Sequence, residues 1–137
     1  MPVVVINTKY AVQDAELHSN FFKENGFDVR VPQDTRFGLG QTSDQEVLDL
    51  LEGASAVFAS STPYTANILE QLPELRVIAR IGVGFETIDI KSATANNVVV
   101  TITPNSNYDA VSEHAMAMIL GIAKSIVSVD RNTRLGR

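Results

Sequence analysis

The chain has 137 residues, 45% of them hydrophobic, which suits one domain with its own core and is too apolar for a disordered tail. Its formal net charge of −5 argues against a nucleic acid or an anionic membrane surface as the main partner. There is no cysteine, so neither a disulfide framework nor a thiolate metal site is expected, and a reducing cytoplasm is the expected setting.

The start, Met1-Pro2-Val3-Val4-Val5-Ile6, has no basic segment and runs straight into a strand-like stretch, so no signal peptide is expected. Residues 3–6 read as the first strand. Residues 11–25 read as a helix carrying Ala15, Leu17, Phe21 and Phe22, closed by Asn25-Gly26. A second strand covers 27–31. Residues 32–42, with Gly38 and Gly40, form the longest polar loop. Ser43-Asp44-Gln45-Glu46 is a capping box that opens a helix over 43–51. Strands then fall at 56–59, 77–81 and 98–102, separated by helices at 64–71, just after Pro63, and at 89–97.

The strand segments are short, rich in Val and Ile, and mostly without polar alternation, the pattern of strands buried on both faces. Five strands alternating with helices imply right-handed βαβ units. The expected fold is α/β: a three-layer, flavodoxin-like (Rossmann-like) domain with a five-stranded parallel sheet, for which 2-1-3-4-5 is the default strand order. A long helix over residues 108 to about 129 follows. Val111, Ala115, Met118, Ile119, Ile122 and Ile126 form an apolar stripe along it, widened by Ala117, Leu120 and Ala123, and the stripe calls for a covering surface. Its longest apolar run, residues 115–123, is too short to span a bilayer, and no membrane partner is expected.

Between the fourth strand and its helix lies Arg80-Ile81-Gly82-Val83-Gly84-Phe85-Glu86-Thr87-Ile88-Asp89. A dinucleotide fingerprint needs G-x-G-x-x-G, and here the third glycine is Thr87. A Gly-x-Gly turn at a strand end still bares backbone N–H groups, which suit a carboxylate as well as a phosphate.

In Val77-Ile78-Ala79-Arg80-Ile81-Gly82-Val83-Gly84, Ile88-Asp89, Val98-Val99-Val100-Thr101, Thr103-Pro104, Asn107 and Ala110-Val111-Ser112-Glu113-His114, the chain resembles the N-terminal half of the D-isomer-specific 2-hydroxyacid dehydrogenases, especially their phosphoglycerate-dehydrogenase-like branch. The resemblance covers nearly the whole chain, is specific from Val77 onward and is only architectural before it. It implies a substrate domain over 1–107, an interdomain helix over 108–130, and a hinge at 131–137 toward an NAD-binding domain beyond. The family's catalytic Arg, Glu and His lie in that second domain. No catalytic residue is therefore expected in this chain, which alone should not transfer hydride.

By the same resemblance, Ser60, Val83, Gly84 and Asn107 would bind a small 2-hydroxy or 2-keto acid. Val83, Asn107 and Val111 would meet NAD, with NADP left open, and the full-length protein would be a homodimer. One departure concerns the segment Ala59-Ser60-Ser61-Thr62, which lacks the arginine that phosphoglycerate-oxidising members place there. Arginine's fork suits phosphate, so its absence sets a hydroxy acid that is smaller or has an uncharged tail at least level with phosphoglycerate as the expected substrate, and Arg80, lying before the turn, is not an obvious replacement.

Blander readings stand beside these. Asn107 is a preferred helix N-cap, and Gly82 and Gly84 could serve turn geometry alone. Glu113 and His114 are adjacent on a helix and point about 100° apart, so they are expected to bond neighbouring elements rather than form a dyad. His18 reads as a helix-flank residue. No clustered ligand pattern suggests a metal, and Ser60-Ser61 lacks a nucleophile-elbow context. Asn7-Thr8-Lys9 after the first strand lacks the acidic cluster of a receiver domain. A stand-alone binding module of dehydrogenase-like fold is the alternative function, and the apolar stripe speaks against it.

Overall fold

A computed structural model describes the backbone of residues 1–8 and 11–137 and the side chains of residues 1–8 and 18–137. Lys9 and the side chains of Ala15 and Leu17, which entered the reading above, lie outside the described residues. Residues 1–104 and 105–137 form two compact units.

The first unit runs β1 (Val3–Asn7), α1 (Ala11–Glu24), β2 (Asp28–Arg30), α2 (Arg36–Leu39), α3 (Asp44–Leu51), β3 (Ala54–Ala59), α4 (Ala66–Glu70), β4 (Val77–Arg80), α5 (Ile90–Ala95) and β5 (Val99–Thr101). The strands form one parallel sheet in the order β2-β1-β3-β4-β5, the expected 2-1-3-4-5. Side chains alternate across it. Val5, Val57 and Ile78 enter a core with Val47 and Leu51 of α3, Ile68 and Leu69 of α4 and Ala93 of α5. Val4 and Ile6 point the other way, into a smaller cluster with Phe22 of α1, Phe27, Ala56 and Phe58. The three layers follow from this split. Each fully buried Leu, Ile or Val adds roughly 1.5–3 kcal/mol.

Local chemistry sets the element ends. The Ser43 capping box forms as expected: the Glu46 N–H donates to Ser43 Oγ at 3.3 Å, and the Ser43 N–H donates to Glu46 Oε2 at 2.8 Å. Thr65 caps α4, so that helix starts at Ala66 and excludes Tyr64. Tyr64 instead bridges to Ile88 in parallel fashion. Asp89 caps α5 by accepting from the Ser92 N–H at 2.9 Å.

Three expectations need correction. Residues 32–42 are not all loop, because α2 forms a single turn ended by Gly40 in a left-handed conformation. β5 is not buried on both faces: it is an edge strand, and Val99 is 59% exposed. The single long last helix is two, α6 (Tyr108–Ala123) and α7 (Ile126–Arg134), bent by 60°. The break falls at Ser125, whose left-handed φ of 50° interrupts the helical repeat. Among the described residues no single helix is long and apolar enough to cross a membrane.

Candidate functional site

In a parallel sheet of this strand order, ligands usually sit at the carboxyl ends of the strands, in the crevice between β1 and β3 where the winding reverses. Here hydrogen bonds link its two sides among the described residues. Thr62, fully buried in the loop after β3, accepts from Asn7 Nδ2 at 2.7 Å and donates to the Phe37 carbonyl at 2.5 Å. The Ser60 N–H donates to the Asn7 carbonyl, and the Ser61 N–H to that of Gly38. One strand over, the loop after β3 and the turn after β4 carry the candidate residues.

There the Ile81 N–H donates to the Ala59 carbonyl at 2.8 Å, which sets the glycine turn beside Ser60. Gly82 has a φ of +138°, a conformation essentially reserved for glycine. Its N–H donates to Thr103 Oγ1 at 2.8 Å, and its carbonyl accepts from the Thr103 N–H at 3.0 Å. The far end of the turn is held by Tyr64, whose N–H donates to the Thr87 carbonyl at 2.8 Å and whose carbonyl accepts from the Asp89 N–H at 3.0 Å. Between these anchors, no hydrogen bond among the described residues takes up the N–H groups of Val83 and Gly84. The sheet edge thus brings together three expected residues: Ser60, half-buried, with Val83 and Gly84.

Arg80 is the residue that reading the sequence set aside. Its guanidinium folds back over the turn, so that a Cβ on Gly82 would lie 2.7 Å from Nη1. Nη1 donates to the Ile81 carbonyl, Nε is buried without a partner, and no carboxylate among the described residues pairs with the charge. Arg80, Ala59 and Asn7 occupy one row across the sheet. Parallel neighbours in register face the same way, so all three project toward the larger core. Burial pushes the Tyr64 hydroxyl pKa up, while the Asn7 amide and the positive Arg80 oppose that shift. The Asn7 amide is near the phenol, yet the hydroxyl makes no full hydrogen bond.

The turn does not fit a dinucleotide pyrophosphate. The nearest helix, α5, starts six residues after Gly84 and already holds the Asp89 carboxylate at its N-terminus. An added phosphate would meet a like charge there. Two bare N–H groups and a nearby cation suit a single carboxylate, but the Glu86 carboxylate already folds against Gly84, where a Cβ would stand 2.5 Å from Oε2, so an incoming acid must displace that side chain. Among the described residues no group of three His, Cys, Asp or Glu could hold a metal ion.

Asn107 and Val111 belong to the second unit. Asn107 stands at the N-cap position of α6, but its side chain makes no capping bond. Its carbonyl accepts from the Val111 N–H at 2.9 Å. Val111 is 57% exposed. Glu113 and His114 are exposed on α6, and neither side chain makes a bond to another element among the described residues. His18 packs edge-on against Phe58, at 5.8 Å between ring centroids.

The D-3-phosphoglycerate dehydrogenase of Archaeoglobus fulgidus is 29% identical over 118 residues, covering 86% of this chain and 21% of that protein. The glyoxylate reductase of Pyrococcus furiosus is 29% identical over 114 residues, covering 82% and 33%. The chain thus spans between a fifth and a third of the length of these curated relatives. In fold it is similar to the NAD-dependent formate dehydrogenase of Staphylococcus aureus, solved in complex with NAD. The TM-score is 0.80 at 19% identity, covering 100% of this chain and 43% of the other. The model of the D-isomer specific 2-hydroxyacid dehydrogenase catalytic domain matches residues 3–134, and the chain belongs to that family.

Proposed function

We propose that the chain is the substrate-holding part of an NAD-dependent oxidoreductase that acts on the CH–OH group of a D-2-hydroxy acid. The observation that carries this reading is the pair of unpartnered N–H groups at Val83 and Gly84, beside the unpaired Arg80 guanidinium. Together they make a cradle for the carboxylate common to 2-hydroxy and 2-keto acids. Ser60 lies at the same sheet edge and can donate to the substrate's other oxygens. Asn107 and Val111 are read as contacts to substrate and nicotinamide.

NAD, when bound, supplies the hydride acceptor, and the reading assigns its pyrophosphate to a part of the parent protein other than this turn. The chain alone should not catalyse the reaction. Mixed with NADH and a 2-keto acid, it is expected to leave the nicotinamide absorbance constant. A steady loss of that absorbance would overturn this part.

The substrate is read as a small acid without a phosphate. Ser60, Ser61 and Thr62 bring no cation to the loop, and the Arg80 guanidinium lies against Gly82. Relatives named glyoxylate reductase are consistent with such an acid, and those named D-3-phosphoglycerate dehydrogenase keep the phosphorylated acid as the second reading. The whole protein is read as a homodimer, supported by the exposed Met118, Ile119 and Ile122 of α6, and sedimentation of the full-length enzyme checks it.

The direct test is a titration of the isotopically labelled chain with oxamate, followed by amide NMR. The Val83 and Gly84 amides should shift with a Kd on the order of 1–10 mM. The Gly26 and Gly53 amides, remote from the edge, should stay still. 3-Phosphoglycerate should bind no tighter than oxamate. Val83 and Gly84 amides indifferent to oxamate would sink the reading.

A further inference from the structure

The loop after β3 is irregular, yet it buries two polar side chains completely, Thr62 and Tyr64. Loops seldom do so, because buried polar groups must find partners. Thr62 finds two. Its one hydroxyl hydrogen goes to the Phe37 carbonyl, so toward Asn7 it can only accept, and Asn7 must present its NH₂. A single oxygen thereby ties together the end of β1, the loop after β3 and α2, three segments far apart in the chain. Gly40 lets them meet: a Cβ there would stand 2.5 Å from the Ser61 carbonyl oxygen.

We propose that Thr62 is a positioning residue for substrate binding. It fixes where Ser60 and Ser61 stand relative to the Val83 and Gly84 amides. The part about substrate rests on the function proposed above. The part about the loop does not.

The geometry supports this division of labour. Ser60 is one residue beyond Ala59, whose carbonyl anchors the start of the glycine turn, and Tyr64 anchors its end. Thr62 lies between these two anchors. Any slackening at Thr62 moves Ser60 against the cradle without touching the cradle itself. Val has nearly the shape of Thr but neither donates nor accepts, so Thr62→Val would strand Asn7 Nδ2 and the Phe37 carbonyl while preserving bulk. Thr62→Ser keeps the hydroxyl and loses only a methyl group.

The experiment compares the two variants with the parent chain in amide hydrogen exchange without ligand and in oxamate titration. Thr62→Val should speed exchange at Ser60 and Ser61 about fivefold or more, and weaken oxamate by a similar factor, the loss of about one hydrogen bond. Exchange at Ile78 in the core should be unchanged, which separates a local effect from unfolding. Thr62→Ser should restore both values to within about twofold. Unchanged exchange at Ser60 and Ser61 in Thr62→Val overturns the proposal, as does a Thr62→Ser variant that behaves like Thr62→Val. If the parent chain does not bind oxamate at all, the substrate-cradle reading fails, and the exchange data still decide whether Thr62 sets the loop. Should Thr62→Val lose protection at Ile78 as well, the Asn7→Asp variant gives the local reading. Its carboxylate cannot donate to Thr62, so the same acceleration at Ser60 and Ser61 is expected, and its absence overturns the proposal.

Discussion

Residues 1–104 bury a core on each face of a sheet, whereas no side chain of the helices in residues 105–137 is buried. The contrast is sharpest between two isoleucines: Ile78 is fully buried and Ile122 is 81% exposed. Both segments are rich in the same apolar residues, so composition does not separate them. What separates them is topology. A β-strand inside a sheet is covered by its own crossover helices, while a lone helical pair apolar around much of its girth has nothing of its own to pack against. The first unit is equipped to fold by itself, and the second needs a surface supplied from elsewhere.

The largest expected effect follows directly. Ile78→Ala should cost roughly 2–5 kcal/mol, the removed burial plus the cavity left behind. Ile122→Ala, in which an exposed side chain is shortened, should stay within about 0.5 kcal/mol. Urea unfolding followed by far-ultraviolet circular dichroism reads both. Equal costs would mean that Ile122 is covered in solution, and the contrast between the units would have to be abandoned.

A smaller effect tests the contrast through backbone strain. Gly40 and Gly136 share a φ of +68°, one in each unit. A Cβ on Gly40 would collide with the Ser61 carbonyl, whereas one on Gly136 would meet nothing within 4 Å. Gly40→Ala should therefore cost about 2–3 kcal/mol, and Gly136→Ala about 1 kcal/mol or less. Melting temperatures of the two variants give the comparison. A Gly40 variant as stable as the Gly136 variant would show that the loop after β3 yields easily, which would also undercut the role argued for Thr62.

The same contrast explains what the sequence made legible. Strands announced themselves as Val and Ile runs, because central parallel strands are buried on both sides and need no polar positions. The Ser43 cap was readable because its partner Glu46 lies three residues away. β5 misled, since its composition matches a central strand and only its place at the sheet edge exposes Val99. Ser125 gave no warning of the bend, being neither glycine nor proline. At the site, the Gly-x-Gly turn was visible from spacing alone. The backward fold of Arg80 was not, because a rotamer is chosen by the packed surroundings. Nor was the bond between Asn7 and Thr62, whose partners are 55 residues apart and meet only once β1 and β3 pair.

The smallest expected effect concerns charge, where the two units differ again. In the first, Arg36 Nη2 reaches Asp34 Oδ2 at 2.7 Å and Glu46 Oε1 at 2.9 Å, joining α2 to α3. In the second, a single pair, Arg134 with Asp130 at 2.9 Å, lies within one helix. The Arg36 side chain, through its hydrogen bond, holds the Asp34 carboxyl below its ordinary value of 3.8. The Ser43 backbone N–H and hydroxyl, and then Arg36, hold Glu46 below 4.5. Carboxyls depressed on folding bind fewer protons in the native chain than in the unfolded one. Their stabilisation is therefore complete above the unfolded values and is lost as pH falls through the lowered ones, below about pH 4. All three groups are exposed to solvent, so the effect should be small and should shrink further with added salt. Melting temperature measured between pH 3 and pH 6 should fall on the acid side. Arg36→Met should flatten the part due to Asp34 and leave most of that due to Glu46, whose leading partner is Ser43. If the acid slope is untouched in Arg36→Met and vanishes in Arg134→Met, the ionic contribution lies in the second unit and the comparison is reversed.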